Sequence, residues 1–281
     1  MNMLHTAALS VLVAFASTAC LAQDSKPAQT APLTFTSYPK PWPFRALVTP
    51  GKLTIAVTPD SPPGTYVNME TGQVDGWAVA IWKQIGADLG LEVELVTVDW
   101  ASVLPGIASN RFDLGCAGAA WTKERLTSPD LLLTNPIVVT STVAITRKDS
   151  GINSWEATEG KRMGGTRGEV YFEQAKSALT KVAEAVEFPG SNEALLALVN
   201  GQVDFVMMNK GSSTFALTQF PQADQLAMVS TKPLAAFPES LCVNPRETDL
   251  LTAMNILLGN YRATGQLAGW FKQYAKSTGS S

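Results

Sequence analysis

The sequence contains one histidine, His5, inside an N-terminal apolar stretch, and no imidazole follows it. That absence removes the commonest general base and the commonest metal ligand. Ser-His-Asp, Cys-His and ordinary zinc chemistries go with them, and no metal or cofactor is expected. Cysteine is nearly as scarce, with three in the whole chain. Beyond Cys20 only Cys116 and Cys242 remain, too few for a disulfide framework; they read equally as one bridge or as two buried thiols. Charged residues make up 16% of the chain, with a formal net charge of −3 and no Lys/Arg run. That balance argues against nucleic acid as a partner. Past the N-terminal segment, no stretch approaches the roughly 18 uninterrupted apolar residues of a membrane span.

What is present is a core-forming composition. The 281 residues are 46% hydrophobic, enough for one large domain or two lobes of ordinary size. The opening MNMLHTAALSVLVAFASTACLAQD has an apolar core from Ala7 to Ala16 followed by small residues, which predicts an export signal over 1–22, cleaved after Ala22. An alternative is a lipoprotein signal with Cys20 as the lipidated residue. The expected location is therefore the periplasm, with or without a lipid anchor at Cys20. Residues 23–50 hold six prolines, Pro39, Pro41 and Pro43 among them, and read as an extended arm.

Regular alternation begins at Lys52. LTIAV (53–57) reads as a strand, WAVAIWKQIGADLG (77–90) as a helix with Trp77, Ile81, Ile85 and Leu89 on one stripe, and Gly90 as its C-terminal cap. VELVTV (93–98), WASVLPGIASN (100–110) and DLGCAGA (113–119) continue as strand, helix and strand. The pattern recurs through RMGGT (162–166), a helix from Glu169, AEAVEF (183–188), SNEALLALVNG (191–201) and VDFVMM (203–208). Twice β-α-β-α-β is the signature of parallel sheets covered by helices. The two halves share a local grammar, IASNRFDLG against LVNGQVDFV. Two long extended stretches, 134–148 and 234–245, lie between and after them, and the chain finishes with helices. This predicts an α/β fold of two lobes joined by two hinge strands, with 51–142 plus 237–281 as the first lobe and 143–236 as the second. A ligand should sit between the lobes at the carboxyl ends of the strands.

The run DLGCAGAAWTKER (113–125) is conspicuous within that plan. A strand end filled with Gly and Ala leads into a helix start carrying one Arg. In order and spacing, GKLTIAV…TGQVDGW…LGLEVELVTVDWASVLPGI…RFDLGCAGAAWTKER…GKRMGGTRGEVY…NEALLALVNGQVDFV resembles the family 3 extracellular solute-binding proteins of polar-amino-acid ABC importers, over roughly residues 51–275. The resemblance implies a Venus-flytrap fold closing on a small ligand, an inner-membrane ABC permease as partner, and a monomer. It implies that Arg125 clamps a ligand carboxylate as a bidentate pair. Gly118, Ala120, Trp121 and Thr122 then form the first-lobe rim, with Gly118 and Ala120 where relatives carry hydroxyls. Gly168, Glu169 and Val170 occupy the second-lobe turn, and Asn209 stands where the family places an Asp that pairs with an α-ammonium. Ser61, Tyr66 and Trp77 complete the expected ligand contacts.

Asn209 cannot neutralise an ammonium, so the resemblance combined with this departure predicts a carboxylate-bearing ligand without an amine, unless Glu169 or Asp60 supplies the missing charge. Some assignments have a plainer alternative. Trp77 serves core packing as readily as a cleft, and Trp82, Trp100 and Met207–Met208 read as core. Two functional classes stand beside transport binding. One is a catalyst resembling periplasmic cyclohexadienyl dehydratases, with Glu169 as general acid; the other is a sensor or accessory subunit on the same scaffold.

Overall fold

The structure, a computed structural model, describes residues 42–276 apart from Thr231. The export signal, Cys20 and the arm up to Pro41 lie outside the described residues. The first half runs β1 (Lys52–Val57), β2 (Asp60–Ser61), β3 (Thr65–Val67), β4 (Val74–Asp75), α1 (Trp77–Leu89), β5 (Glu92–Thr97), α2 (Trp100–Ala108), β6 (Leu114–Ala120), α3 (Lys123–Leu126) and β7 (Leu132–Leu133). The long β8 (Val138–Arg147) leads to β9 (Arg162–Thr166), α4 (Val170–Ala178), β10 (Glu184–Phe188), α5 (Ser191–Val199), β11 (Phe205–Asn209), α6 (Lys210–Gln219) and β12 (Leu226–Met228). The chain returns through β13 (Ala235–Val243) to α7 (Thr248–Ala263) and α8 (Gln266–Lys276).

One curled sheet carries both halves, in the order β10-β9-β11-β8-β13-β6-β1-β5. Its two ends are parallel, as βαβ crossovers require, and its middle, from β11 to β6, is antiparallel around the pair β8 and β13. These are the two hinge strands. Apolar side chains collect on both faces of each end. Leu53, Ile55, Ile81, Trp82 and Ile85 pack with Leu257 and Leu258 of α7 on one face of the first lobe, and Val103, Ile107 and Phe112 on the other. Leu195, Leu198 and Val206 form one second-lobe cluster, and Met163, Phe172 and Phe205 form the other. The α1 stripe explains itself: Ile81, Ile85 and Leu89 are at most 1% exposed, and the helix ends where Gly90 takes a left-handed φ of 72°.

The repeated grammar has a physical basis. Asn110 and Gly201 both hold positive φ, at 60° and 71°, and so stop α2 and α5. Three residues later, Asp113 accepts from the Thr54 amide at 2.7 Å, and Asp204 accepts from the Arg162 amide at 2.8 Å. Each Asp thus ties the head of its strand to the first strand of its βαβαβ half.

Three features depart from expectation. The arm docks where it is described: Trp42, Phe44 and Leu47 pack on the first-lobe core, and the Val48 amide reaches Asp113 at 2.7 Å. Helix α6 and the β2–β4 ribbon were not legible in the residue pattern. The C-terminal helices dock on the first lobe as anticipated, with Phe271 edge-on to Trp77 at 4.9 Å and Tyr261 bonded to Asp88 at 2.6 Å.

The cysteine ambiguity resolves as a bridge. Cys116 on β6 and Cys242 on β13 are bonded, with Cα atoms 5.5 Å apart and 126 residues of separation. The bridge sits in the first-lobe core beside the cleft. Replacing both cysteines with alanine should lower unfolding stability by about 2–4 kcal/mol. Denaturant titration of the double variant against wild type, monitored by circular dichroism, measures that loss.

Candidate functional site

The two lobes enclose a cavity of about 260 Å³ at the carboxyl ends of the strands. The first lobe delivers its only described cavity cation through a short, tightly capped element. Thr122 accepts from the Arg125 amide at 3.2 Å and starts α3, and the side chain of Arg125 leans back toward the N-terminus. Its Nη1 donates to the Ala120 carbonyl at 3.0 Å, and its guanidinium carbon lies 5.7 Å from the centre of the Trp100 ring. Burial presses Arg125 down from its usual value, yet an arginine remains charged. Among the described residues it forms no ion pair, so donors remain for an anion entering the cavity.

Eight of the twelve expected contacts line this cavity: Ser61, Trp77, Gly118, Ala120, Arg125, Glu169, Val170 and Asn209. Four do not. Trp121 follows Ala120 on the opposite side of the extended chain, and its indole N–H donates to Ser240 at 2.8 Å. Thr122 is consumed as the cap of α3. Gly168 contributes its carbonyl to the Trp100 indole at 3.1 Å, and its φ of 75° permits the turn into Glu169. Tyr66 packs on Phe215 of α6 with ring centres 6.0 Å apart, at the rim. The Glu169 amide donates back to Thr166 at 3.2 Å, so it is not directed at a ligand.

Asn209 lines the cavity, but its side chain is largely occupied. Its Oδ1 accepts from the Ser212 amide at 2.8 Å and its Nδ2 donates to the Ser212 hydroxyl at 3.0 Å, which makes it the cap of α6. Trp100, read as core, is half-buried: it packs against the core cluster that holds Val103 and Phe112, and it also lines the cavity. Its bond to Gly168 crosses from one lobe to the other.

Two cavity residues, Glu239 and Tyr171, lie outside the expected contacts. Glu239, on hinge strand β13, pairs in register with Ala120 and Val138 and is 6% exposed. Tyr171, in the first turn of α4, donates its hydroxyl to Glu239 Oε1 from the other lobe. A Cβ placed on Gly118 would stand 2.6 Å from Glu239 Oε2, so the bare strand end is the room that Glu239 occupies. An acid within the apolar run of β13 was the one available hint, and only the register links it to Arg125.

The cavity therefore holds three carboxyls, Asp60, Glu169 and Glu239, against one guanidinium. Asp60 accepts from the Ser191 amide across the lobes at 3.2 Å and is raised, mainly by burial. Burial, with Asp60 and Glu239 as like-charged neighbours, pushes Glu169 up to about 8. Burial pushes Glu239 up to about 7, although the Tyr171 hydrogen bond and Arg125 both pull it down. A carboxyl raised on folding contributes stability that is present below its unfolded value and is lost as pH rises through its folded value. The melting temperature of the ligand-free protein should accordingly fall between about pH 5 and about pH 9, and Glu169→Gln with Glu239→Gln should flatten the fall. Thermal-shift measurements across that range check both statements.

Comparison with known proteins agrees with this geometry. The family model for bacterial extracellular solute-binding proteins, family 3, matches residues 53–277. The L-cystine-binding protein TcyA of Bacillus subtilis is 29% identical over 57% of this chain, and the match spans 58% of that relative's own length. Among solved structures, the amino acid ABC transporter substrate-binding protein AbpA of Streptococcus pneumoniae, bound to L-arginine, superposes with a TM-score of 0.75. It is 22% identical, covering 84% of this chain and 99% of that one. The ancestral amino-acid-binding protein AncCDT-1, a precursor of cyclohexadienyl dehydratase, superposes with a TM-score of 0.70 at 20% identity, covering 80% and 95%.

Proposed function

The chain belongs to the bacterial extracellular solute-binding proteins of family 3, and from that premise we propose that it captures a small carboxylate-bearing solute between its lobes and delivers it to an ABC importer. The observation that carries this reading is Arg125. It is held by the Ala120 carbonyl and the Trp100 face inside the interlobe cavity, without an ion-pair partner among the described residues. A bidentate guanidinium so placed fits one carboxylate, and no other cation of the described cavity competes for it. Bonds from Trp100 to Gly168, Asp60 to Ser191 and Tyr171 to Glu239 join the two lobes, which fits a cleft closed over its solute. The role is non-catalytic, the protein works as a monomer in the periplasm or on a lipid anchor at Cys20, and an inner-membrane permease is its partner.

The ligand need not lack an amine. That expectation rested on Asn209, whose side chain serves α6, while three carboxyls face the same space. Relatives and structural neighbours named for L-cystine and L-arginine binding support a solute of amino-acid size.

A second reading has one observation in its favour. Glu169, held protonated at neutral pH beside a carboxylate-binding arginine, has the state a general acid needs to donate a proton to a leaving hydroxyl. Formation of an aromatic product from prephenate or arogenate by the purified protein would establish it; binding without product supports the transport role.

Arg125→Ala should abolish the response to every carboxylate that stabilises wild type, with a loss on the order of 100-fold in affinity. Calorimetry, together with small-angle scattering for ligand-dependent compaction, reads this. Wild-type binding by the alanine variant would overturn the site.

A further inference from the structure

The expected amine partner, Asn209, is engaged at both ends of its amide, yet the cavity carries more acid than base. The three carboxyls are not equivalent. Asp60 spends one oxygen on the Ser191 amide and joins the lobes at the rim. Glu169 sits at the start of α4, where Asp60 and Glu239 both oppose its ionisation, and it keeps its proton to about pH 8. Glu239 differs from both. Its backbone is fixed between β6 and β8, and its Oε1 is held by Tyr171. Its Oε2 accepts no hydrogen bond among the described residues, although the side chain is nine-tenths buried and lines the cavity. The residue opposite it in register is Ala120, whose carbonyl holds Arg125. One carboxyl and one guanidinium thus flank the same short piece of strand.

We propose that Glu239, presented by the hinge strand over the bare Gly118, is the specificity-determining residue for a positively charged nitrogen on the solute that Arg125 holds by its carboxylate. The assignment rests on the transport reading of the cleft and adds a second pole to it. A cation arriving at Oε2 replaces the missing hydrogen-bond donor and offsets the cost of a buried carboxylate, which a neutral solute cannot do. Gly118 is part of the device, because any side chain there would collide with Oε2. Because β13 is also a hinge, the Tyr171–Glu239 bond couples the recognising group to closure of the second lobe.

The test uses pairs that share a carbon skeleton and differ only in a charged amine: L-phenylalanine with phenylpyruvate, L-leucine with ketoleucine, and L-alanine with pyruvate. Titration calorimetry of the mature protein should show the amine-bearing member of a binding pair preferred. Glu239→Gln should reduce that preference by about 10- to 100-fold while the oxo acid binds unchanged or more tightly. Gly118→Ala, which keeps the carboxyl but displaces it, should lose the same preference. Circular dichroism and melting of each unliganded variant establish that it is folded. If Glu239→Gln retains the full preference while Arg125→Ala abolishes binding, the Glu239 assignment falls and the site reading stands. If a folded wild type prefers the oxo acids, the assignment also falls. If no pair binds wild type, both the carboxylate site and the inference built on it are overturned.

Discussion

The antiparallel pairing of β8 with β13 governs the geometry of this molecule. Residues 138–142 lie against residues 235–239; β11 and β6 flank that seam antiparallel, and beyond them the sheet turns parallel, each side acquiring its own helices. Two strands crossing side by side allow the lobes to rotate about them without breaking either core, since each lobe packs its apolar clusters separately. The same seam carries Glu239 into the cavity. The hinge therefore acts as connection and as wall at once.

Around that wall the electrostatics are asymmetric. A single guanidinium, steadied by a carbonyl and an indole face, opposes three largely buried carboxyls. In such surroundings a carboxyl avoids ionisation unless a cation or donor meets it. Tyr171 meets one oxygen of Glu239 and leaves the other. The cavity is thus poorly matched to a simple anion and better matched to a solute with poles of both signs.

Much of the architecture was legible in the residues, and the reasons are local. The α1 stripe of Ile81, Ile85 and Leu89 obeys helical periodicity because one face is buried. The Asn110-to-Asp113 and Gly201-to-Asp204 repeats encode a helix stop followed by a backbone tie. Arg125 was legible because a capped helix start beside a bare strand end leaves few uses for a fixed charge. Helix α6 was not, since KGSSTFALTQ offers little apolar contrast and begins on the Asn209 cap. For the tryptophans residue order was a weaker guide: alternation along the chain turns Trp121 toward Ser240, while Trp100 packs on the core, as expected, and also lines the cleft.

From residue order alone came the two βαβαβ halves, the two hinge stretches, the docking of the terminal helices and the placement of Arg125 at a strand end. Periodicity, caps and short spacings are properties of neighbours along the chain, so they can be read without coordinates. The pairing of Cys116 with Cys242, the approach of Tyr171 to Glu239, and the match between Gly118 and the carboxyl above it required the folded chain. Each joins residues more than sixty positions apart, and only strand register and lobe closure bring such residues within contact distance. The bareness of Gly118 was visible in the sequence; the acid that fills it was not.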